Sequence, residues 1–460
     1  MTETENFKGL SWVAAMAFFM QALDTTILNT ALPAIAKSLN ESPLGMELAV
    51  ISYALTLALL IPLSGWLADK YGTRNIFRGA VLLFALGSLF CAMSGSLNML
   101  IASRVLQGVG GALMMPVARL AIIKRVPKKQ LINVWNFMAM AGLIGPILGP
   151  ILGGWLVTYA TWHWIFLINL PISIVGILVA NRFMPDVKGK ITKLDVVGFI
   201  LFAGGLVALT LGLELIAEQT PKKMTALIIS LIGSSLLLAY YLYSKQAKNP
   251  LLSLALFRIR SFRVGMLANL LLRLCGSGVP FLLPLMLQVS FHYRADTVGL
   301  LMTPVAICSI ITKPYIPKIL KFFGYKKALI YTALLMSASV ALLGGLNVNT
   351  PLWLLIMLVA FYGGCMSIMF TSINTLTISD LDDKDASSGS TFLSVIQQVG
   401  MSFAIALASV LLGIYRLYIG GSGEQLQQSF SYTFFSSAAI GLLLLWTLTY
   451  LRKTDGSSLH

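Results

Sequence analysis

Residues 47–74, ELAVISYALTLALLIPLSGWLADKYGTR, decide the class of this protein. After Glu47 the stretch carries no charge until Asp69. A helix over residues 47–68 would be about 33 Å long at 1.5 Å per residue, enough to cross a hydrocarbon core of ~30 Å. The apolar run is continuous rather than alternating, and backbone groups in hydrocarbon find no water to bond. A spanning segment of this pattern is therefore a helix and not a strand of a barrel. The run ends in a charged, glycine-punctuated turn.

The same pattern recurs along the chain. Apolar runs predict membrane helices near 10–36, 47–68, 77–96, 99–122, 132–158, 163–183, 195–216, 224–243, 263–289, 296–317, 327–347, 352–376, 388–416 and 431–451. Of 460 residues 57% are hydrophobic and 11% charged. A soluble chain carries roughly a quarter of its residues as charges, because its surface faces water. The fold class expected is all-α, a polytopic membrane protein with both termini in the cytoplasm.

The net charge of +16 does not point to nucleic acid. The basic residues lie in short clusters between apolar runs, and their placement follows topology. With the termini inside, 25 of the 33 basic residues fall on the cytoplasmic side. Lys70, Arg74 and Arg78 are among them, as are Lys124, Arg125, Lys128 and Lys129, then Lys188, Lys190 and Lys193, then Lys318, Lys321, Lys326 and Lys327. Only Lys37, Lys222, Lys223, Arg294 and Arg416 fall outside, and Arg104, Arg273 and Lys313 stay within spans. That bias sets orientation. The longest polar interruption, around 244–262, contains Lys245, Lys248, Arg258, Arg260 and the breaker Asn249-Pro250. It supports a division into 1–185 (six helices), 186–262 (two extra helices and a loop) and 263–460 (six helices). Repeated bundles are common in secondary transporters. A weak internal echo relates 65–72 to 319–326, where the second copy has lost the aspartate.

Four local patterns coincide with particular spans. Gly65-Trp66-Leu67-Ala68-Asp69-Lys70-Tyr71-Gly72-Thr73-Arg74 forms the turn after span two. Its glycines permit a tight turn, and Asp69 with Arg74 can form a charge pair latching neighbouring helices; a plain solvated turn is the alternative. Span one holds Leu23-Asp24-Thr25-Thr26-Ile27-Leu28-Asn29-Thr30-Ala31-Leu32-Pro33. Span four holds Arg104-Val105-Leu106-Gln107-Gly108-Val109-Gly110-Gly111. Span five holds Gly145-Pro146-Ile147-Leu148-Gly149-Pro150-Ile151-Leu152-Gly153-Gly154. Together, in this order, these resemble the major facilitator superfamily, and within it the fourteen-helix drug:proton antiporters of the EmrB/QacA type, most of all the MdtD subgroup. Trp162-His163-Trp164-Ile165-Phe166-Leu167-Ile168-Asn169-Leu170-Pro171 resembles that group's entry to span six, with His163 where arginine is more usual. The resemblance covers nearly the whole chain. It implies a major facilitator fold of two six-helix bundles plus two extra helices, a role for Arg104 in proton coupling, and a role for the span-five motif in antiport and in sealing one side.

Ionisable groups at bilayer depth are costly, at least ~2.5–3.5 kcal/mol on insertion scales, and often mark a transport path. Asp24, Arg104 and Arg273 are the deep charges here. Burial favours a neutral carboxyl and a neighbouring guanidinium favours an ionised one, so a changing arrangement of Asp24 and Arg104 can release and recapture a proton. The alternative is a fixed pair that only orders helices. Lys313 sits where it can snorkel, Glu214 reads as interfacial, and Asp195 and Glu47 as solvated span ends. In span five, Pro146 and Pro150 remove backbone donors, while Gly145, Gly149, Gly153 and Gly154 permit close packing. Gln21, Asn29, Asn269, Arg273, Gln288, Asn374, Gln397 and Gln398 are candidates for a polar substrate cavity, or for bonding between helices. Gly276 and Gly278, with Pro280 and Pro284, are placed to interrupt span nine. Trp162, Trp164, Tyr240 and Tyr241 read as interfacial belts, and Met114, Met115, Met138 and Met140 as core filler.

The function expected is proton-coupled export of small drug-like or organic solutes across a bacterial inner membrane. Its partners are the lipid bilayer, the solute and protons, with no nucleic acid and any outer-membrane partner unknown. An organic anion, a metal chelate or a siderophore-like molecule is the alternative cargo, because the deep set holds two arginines and one aspartate. A non-transporting sensor is a further alternative. No zinc-peptidase, nucleophile-elbow or P-loop pattern is present, so neither an enzyme nor direct ATP driving is indicated. No cofactor and no metal site are expected. Cys91, Cys275, Cys308 and Cys365 lie in apolar stretches without ligand spacing.

Overall fold

A computed structural model describes residues 3–189, 193–217, 223–247 and 250–452. Lys190, Lys222, Lys248, Asn249 and the terminal 456–460 lie outside the described residues, as do the side chains of Lys128, Lys129 and Lys223. Among the described residues fourteen helices are long and apolar enough to cross a membrane, the number the hydropathy pattern predicts. They are α1 (Glu3–Leu39), α2 (Glu47–Tyr71), α3 (Thr73–Ala92), α4 (Leu97–Arg125) and α5 (Lys128–Tyr159), then α6 (Trp164–Phe183). They continue with α7 (Val196–Ala217) and α8 (Lys223–Ser244), α9 (Arg260–Val289) and α10 (Ala295–Phe323). The last four are α11 (Tyr325–Gly344), α12 (Leu352–Ile378), α13 (Asp383–Tyr418) and α14 (Gly423–Thr449).

Two compact units emerge. The first holds residues 1–194 with 294–303, and the second holds 195–293 with 304–460. In the first, α1 packs most extensively on α5, and α4 lies against both α2 and α3. In the second, α7 pairs with α8, α11 with α14 and α12, α9 with α12, and α13 with α7. Each membrane helix satisfies its own backbone, so what remains is side-chain packing, and small residues let backbones approach.

The helix termini follow local chemistry. Ser96 caps α4 by accepting from the Met99 amide at 3.3 Å, as a serine N-cap does. Asp195 precedes α7, where its Oδ1 accepts from the Gly198 amide at 2.8 Å and from the Tyr243 hydroxyl at 2.7 Å. Its Oδ2 accepts from the Leu251 amide at 3.0 Å. Asp195 is therefore a tied capping residue and not the solvated end expected. Glu47 and Glu214 depart from expectation in the same direction, at 4% and 6% exposure. Glu47 sits in the first turn of α2, where the helix dipole favours a carboxylate. Glu214 lies one turn beyond the buried Thr210 on a packed face of α7. Lys313 is exposed, on a short 3₁₀ turn within α10.

Two of the aromatic belt residues are interior. Trp162 is buried and stacks on His163 at 3.9 Å between ring centroids. Tyr240 is buried because the Leu252 backbone satisfies its hydroxyl, whose oxygen accepts from the Leu252 amide at 3.0 Å. Trp164 and Tyr241 are exposed as the belt reading requires. Met114, Met115 and Met138 are core residues, but Met140 is exposed. Span nine is widened rather than interrupted. It runs as an α-helix to Leu272, takes one π-turn over Arg273–Ser277, and resumes at Val279.

Candidate functional site

In the first unit, a buried polar network surrounds one carboxylate. Asp24, midway along α1, and Arg104, on α4, are each 1% exposed. Arg104 Nη1 donates to Asp24 Oδ2 at 2.7 Å and to Gln107 Oε1 at 2.7 Å. Its Nε donates to the Ala49 carbonyl of α2 at 3.1 Å, and its guanidinium lies over the Tyr53 ring at 4.3 Å. Gln107 Nε2 donates to Asp24 Oδ1 at 2.7 Å and to Ser88 Oγ at 3.0 Å. Asn169, on α6, donates from Nδ2 to the same Oδ1 at 3.5 Å and to Ser88 Oγ at 2.9 Å. Ser88 Oγ itself donates to the Phe166 carbonyl at 3.1 Å. Residues of five helices thus join in the network that holds Asp24.

The arrangement is strongly coupled. A buried ion pair is stable only when its remaining polar groups are also bonded, and removing one partner typically costs ~3–5 kcal/mol. Both Asp24 oxygens are engaged here. Three side chains, Arg104, Gln107 and Asn169, are arranged to meet the charge of Asp24.

The glycines of the span-five motif bring α5 against α1, next to this network. A Cβ at Gly145 would lie 2.8 Å from the Leu23 amide nitrogen. One at Gly149 would fall on Thr26 Oγ1, and one at Gly153 on the Ile27 carbonyl. Thr26 Oγ1 in turn approaches the Gly145 carbonyl at 3.3 Å. Gly154 faces the start of α10, where a Cβ would meet the Ala295 carbonyl. Through Pro146 and Pro150, α5 stays one helix.

The loop after α2 has different partners from those its sequence suggests. Asp69 pairs with Lys124 of α4 at 2.9 Å, not with Arg74. Arg74 Nε instead donates to the Met184 carbonyl at 2.6 Å. Thr73 Oγ1 donates to the Pro185 carbonyl at 2.6 Å, and the Gly189 amide donates to the Asp69 carbonyl at 3.1 Å. The chain reverses at Gly72, with φ of 92° and no room for a Cβ beside the Asp186 carboxylate. Asp69 and Arg74 flank that reversal, so each turns to a different neighbour. Gly65 lies in open space.

The candidate cavity residues separate between units. In the first unit Gln21 is partly buried, and Asn29 is 7% exposed with no hydrogen-bond partner for its Oδ1. In the second unit Asn374 accepts from Gln397 Nε2 at 3.1 Å, joining α12 to α13. Gln288 is partly exposed near the end of α9. Asn269 bonds helices, donating to the Gly265 carbonyl at 3.1 Å and to Thr377 at 3.4 Å. Arg273 lies on the π-turn of α9 with its guanidinium 4.8 Å from the Phe370 ring centroid. Its Nε is buried without a hydrogen-bond partner, and it makes no ion pair among the described residues. A cation–π contact returns roughly 0.5–2 kcal/mol, less than a mid-membrane charge costs.

Gln107, Ser88, Asn169 and Tyr53 carry the network without having been singled out as site residues. Gln107 had a signal: three residues after Arg104, it shares its helix face. Asn169 lies inside the quoted span-six pattern. Ser88 and Tyr53 have no comparable signal. Arg119, counted by its sequence with the cytoplasmic charges, lies within α4 with a buried, unpartnered Nε.

The Major Facilitator Superfamily profile matches residues 14–195 and 265–459. The chain is 52% identical over 459 residues to "Probable transport protein HsrA" of Haemophilus influenzae, covering 100% of this chain and 99% of that one. It is 44% identical over 448 residues to "Putative multidrug resistance protein MdtD" of Salmonella heidelberg, covering 96% and 94%. Among solved structures, a D-xylose-proton symporter superposes with a TM-score of 0.70 at 14% identity, over 97% of this chain and 98% of that one. The nucleoside transporter NupG gives 0.66 at 14% identity, over 96% and 99%; at that identity the likeness is one of fold. With the profile matching most of the chain and a relative more than half identical from end to end, the chain belongs to the Major Facilitator Superfamily, a family of membrane transporters and not of enzymes.

Proposed function

We propose that this transporter exports small organic solutes, drug-like compounds among them, across the bacterial inner membrane in exchange for protons. The observation that carries the reading is the Asp24–Arg104 pair, 2.7 Å apart and 1% exposed on each side. A carboxylate held this deep, with a guanidinium and two amides as its partners, is a site where one proton changes the electrostatics of five helices at once. Protonation releases Arg104 and Gln107, and deprotonation draws them back. The MdtD relative, named for multidrug resistance, supports drug-like cargo. The glycine contacts of α5 with α1 make that helix pair the element that senses the change, and the Asp69–Lys124 latch holds the opposite end of α2 and α4. The distribution of lysine and arginine supports cytoplasmic termini, and the division 1–185, 186–262, 263–460 serves as the working assignment of bundles and extra helices.

The test is a comparison of small solutes retained by cells lacking the protein with those retained by cells expressing it, read by mass spectrometry. Expression should deplete a defined set of solutes, and collapsing the proton gradient with an ionophore should restore them. Depletion that survives the ionophore would defeat proton coupling.

A further inference from the structure

The two deep arginines of this chain are accommodated differently. Arg104 has a carboxylate built for it. Arg273 has none among the described residues, and its Nε is buried without a hydrogen-bond partner. Yet the structure makes specific room for Arg273. Arg273 begins the π-turn Arg273–Ser277 and contacts Phe370 of α12 and Gly400 of α13, and the Tyr362 hydroxyl donates to the turn's Gly276 carbonyl at 2.9 Å. Gly400 of α13 faces the stem, where a Cβ would come within 2.9 Å of Arg273 Cβ and 3.0 Å of its Cγ. Phe370 of α12 carries the guanidinium on its ring face. One turn along each flanking helix lie Asn374 and Gln397, the bonded amide pair, on the same helix faces as Phe370 and Gly400. The residue as a whole retains partial exposure.

A guanidinium presents a planar set of donors that matches an oxyanion. A π-turn inside a membrane helix frequently marks a functional site, and an ionisable group at this depth pairs with something or faces a path. Resting on the exporter reading above, we infer that Arg273 is the binding site for an anionic group on the transported solute: a carboxylate, sulfonate or phosphonate that supplies the counter-charge no described residue provides. Phe370 then offers an apolar ring beside the anion, and the Asn374–Gln397 pair offers further amide donors. The solute class that fits is an amphipathic oxyanion with a ring or short apolar body. The first unit holds the proton-responsive charge and the second holds the solute-responsive one.

The experiment uses two fluorescent probes on one ring system, naphthalene-2-sulfonate and naphthalen-2-yltrimethylammonium, with proteoliposomes of the full-length protein and an acid interior. Wild-type protein should accumulate the sulfonate over the ammonium probe. Arg273→Gln should raise the half-saturating sulfonate concentration roughly tenfold to a hundredfold, the effect of losing a charge-assisted hydrogen bond. Arg273→Lys should fall between the two. Gly400→Ala keeps the charge but presses on the Arg273 stem, so it should reduce sulfonate selectivity in the same direction. It decides the matter if Arg273→Gln does not elute as folded protein. Equal sulfonate uptake by wild type, Arg273→Gln and Gly400→Ala would overturn the assignment, as would a wild-type preference for the ammonium probe. Wild-type uptake of neither probe would fail the exporter reading and this one together, whereas uptake with the wrong charge preference fails this one alone.

Discussion

Arg104 and Gln107 stand one turn apart on α4 and grip the two oxygens of Asp24 separately, each at 2.7 Å. They also bond each other, Nη1 to Oε1, at 2.7 Å. The carboxylate is therefore held by a preassembled pair from a neighbouring helix, not by a single counter-ion. The charge of Asp24 is thus tied directly to the contact of α1 with α4.

That coupling sets a stability pattern. Arg104→Leu should destabilise the purified protein by about 3–5 kcal/mol, because Asp24 is left as an uncompensated buried charge. The double substitution Asp24→Leu with Arg104→Leu should recover most of that loss, since replacing a buried pair by apolar side chains is often neutral. Thermal unfolding in detergent measures both. A double variant no more stable than Arg104→Leu alone would show that the two charges do not depend on each other.

Gln107→Leu should cost about 1–3 kcal/mol, the penalty for leaving bonded buried groups unmet, while keeping the ion pair. Gln107→Glu should be worse, because it sets a second carboxylate beside Asp24. Unfolding midpoints of the two variants side by side give the order, and a Gln107→Glu protein as stable as wild type would remove Gln107 from the network.

The α1–α5 contact predicts a suppressor. Gly149→Ala should lower transport and stability, because its Cβ falls on Thr26 Oγ1. Adding Thr26→Ala removes that oxygen and should restore part of both. Solute depletion from expressing cells, normalised to protein level, reads the effect. No recovery in the double variant would mean that the close approach is not what the glycine serves.

At the loop after α2 the glycine should matter more than the charge. Asp69 and Lys124 are 32% and 28% exposed, and exposed pairs contribute ~0–1 kcal/mol. Asp69→Asn should therefore leave the unfolding midpoint nearly unchanged. Gly72→Ala should lower it sharply, since the position combines φ of 92° with contact against Asp186. The reverse order would refute this account of the latch.

The number and type of helices were legible because hydropathy over some twenty residues is a property of each segment alone. The depth of Asp24 and Arg104 was legible for the same reason: a charge inside an apolar run has few places to be. What those charges touch was not. Ser88 and Asn169 are small polar residues that a membrane helix carries at little cost, and only tertiary packing shows that Asn169 meets Asp24 and that Ser88 meets the two amides beside it. Asp69 and Arg74 are close in sequence yet turn apart at Gly72, so proximity along the chain misassigned their partners. Trp162 and Tyr240 resemble belt residues by position, but their polar tips or ring faces find partners inside. The π-turn at Arg273 kept span nine continuous where two glycines and two prolines suggested an interruption. A helix can absorb one extra residue per turn without losing its backbone bonds.

The claim on which the rest depends is that Asp24 carries the exchanged proton. The most direct measurement reconstitutes wild-type protein and Asp24→Asn in liposomes with a pH-sensitive dye inside, using a solute that cells expressing the protein deplete. Wild type should move protons when that solute is added and should accumulate it against its gradient. Asp24→Asn should exchange labelled for unlabelled solute at equilibrium while moving no protons and accumulating nothing. Solute-driven proton movement by Asp24→Asn at the wild-type rate would contradict the account.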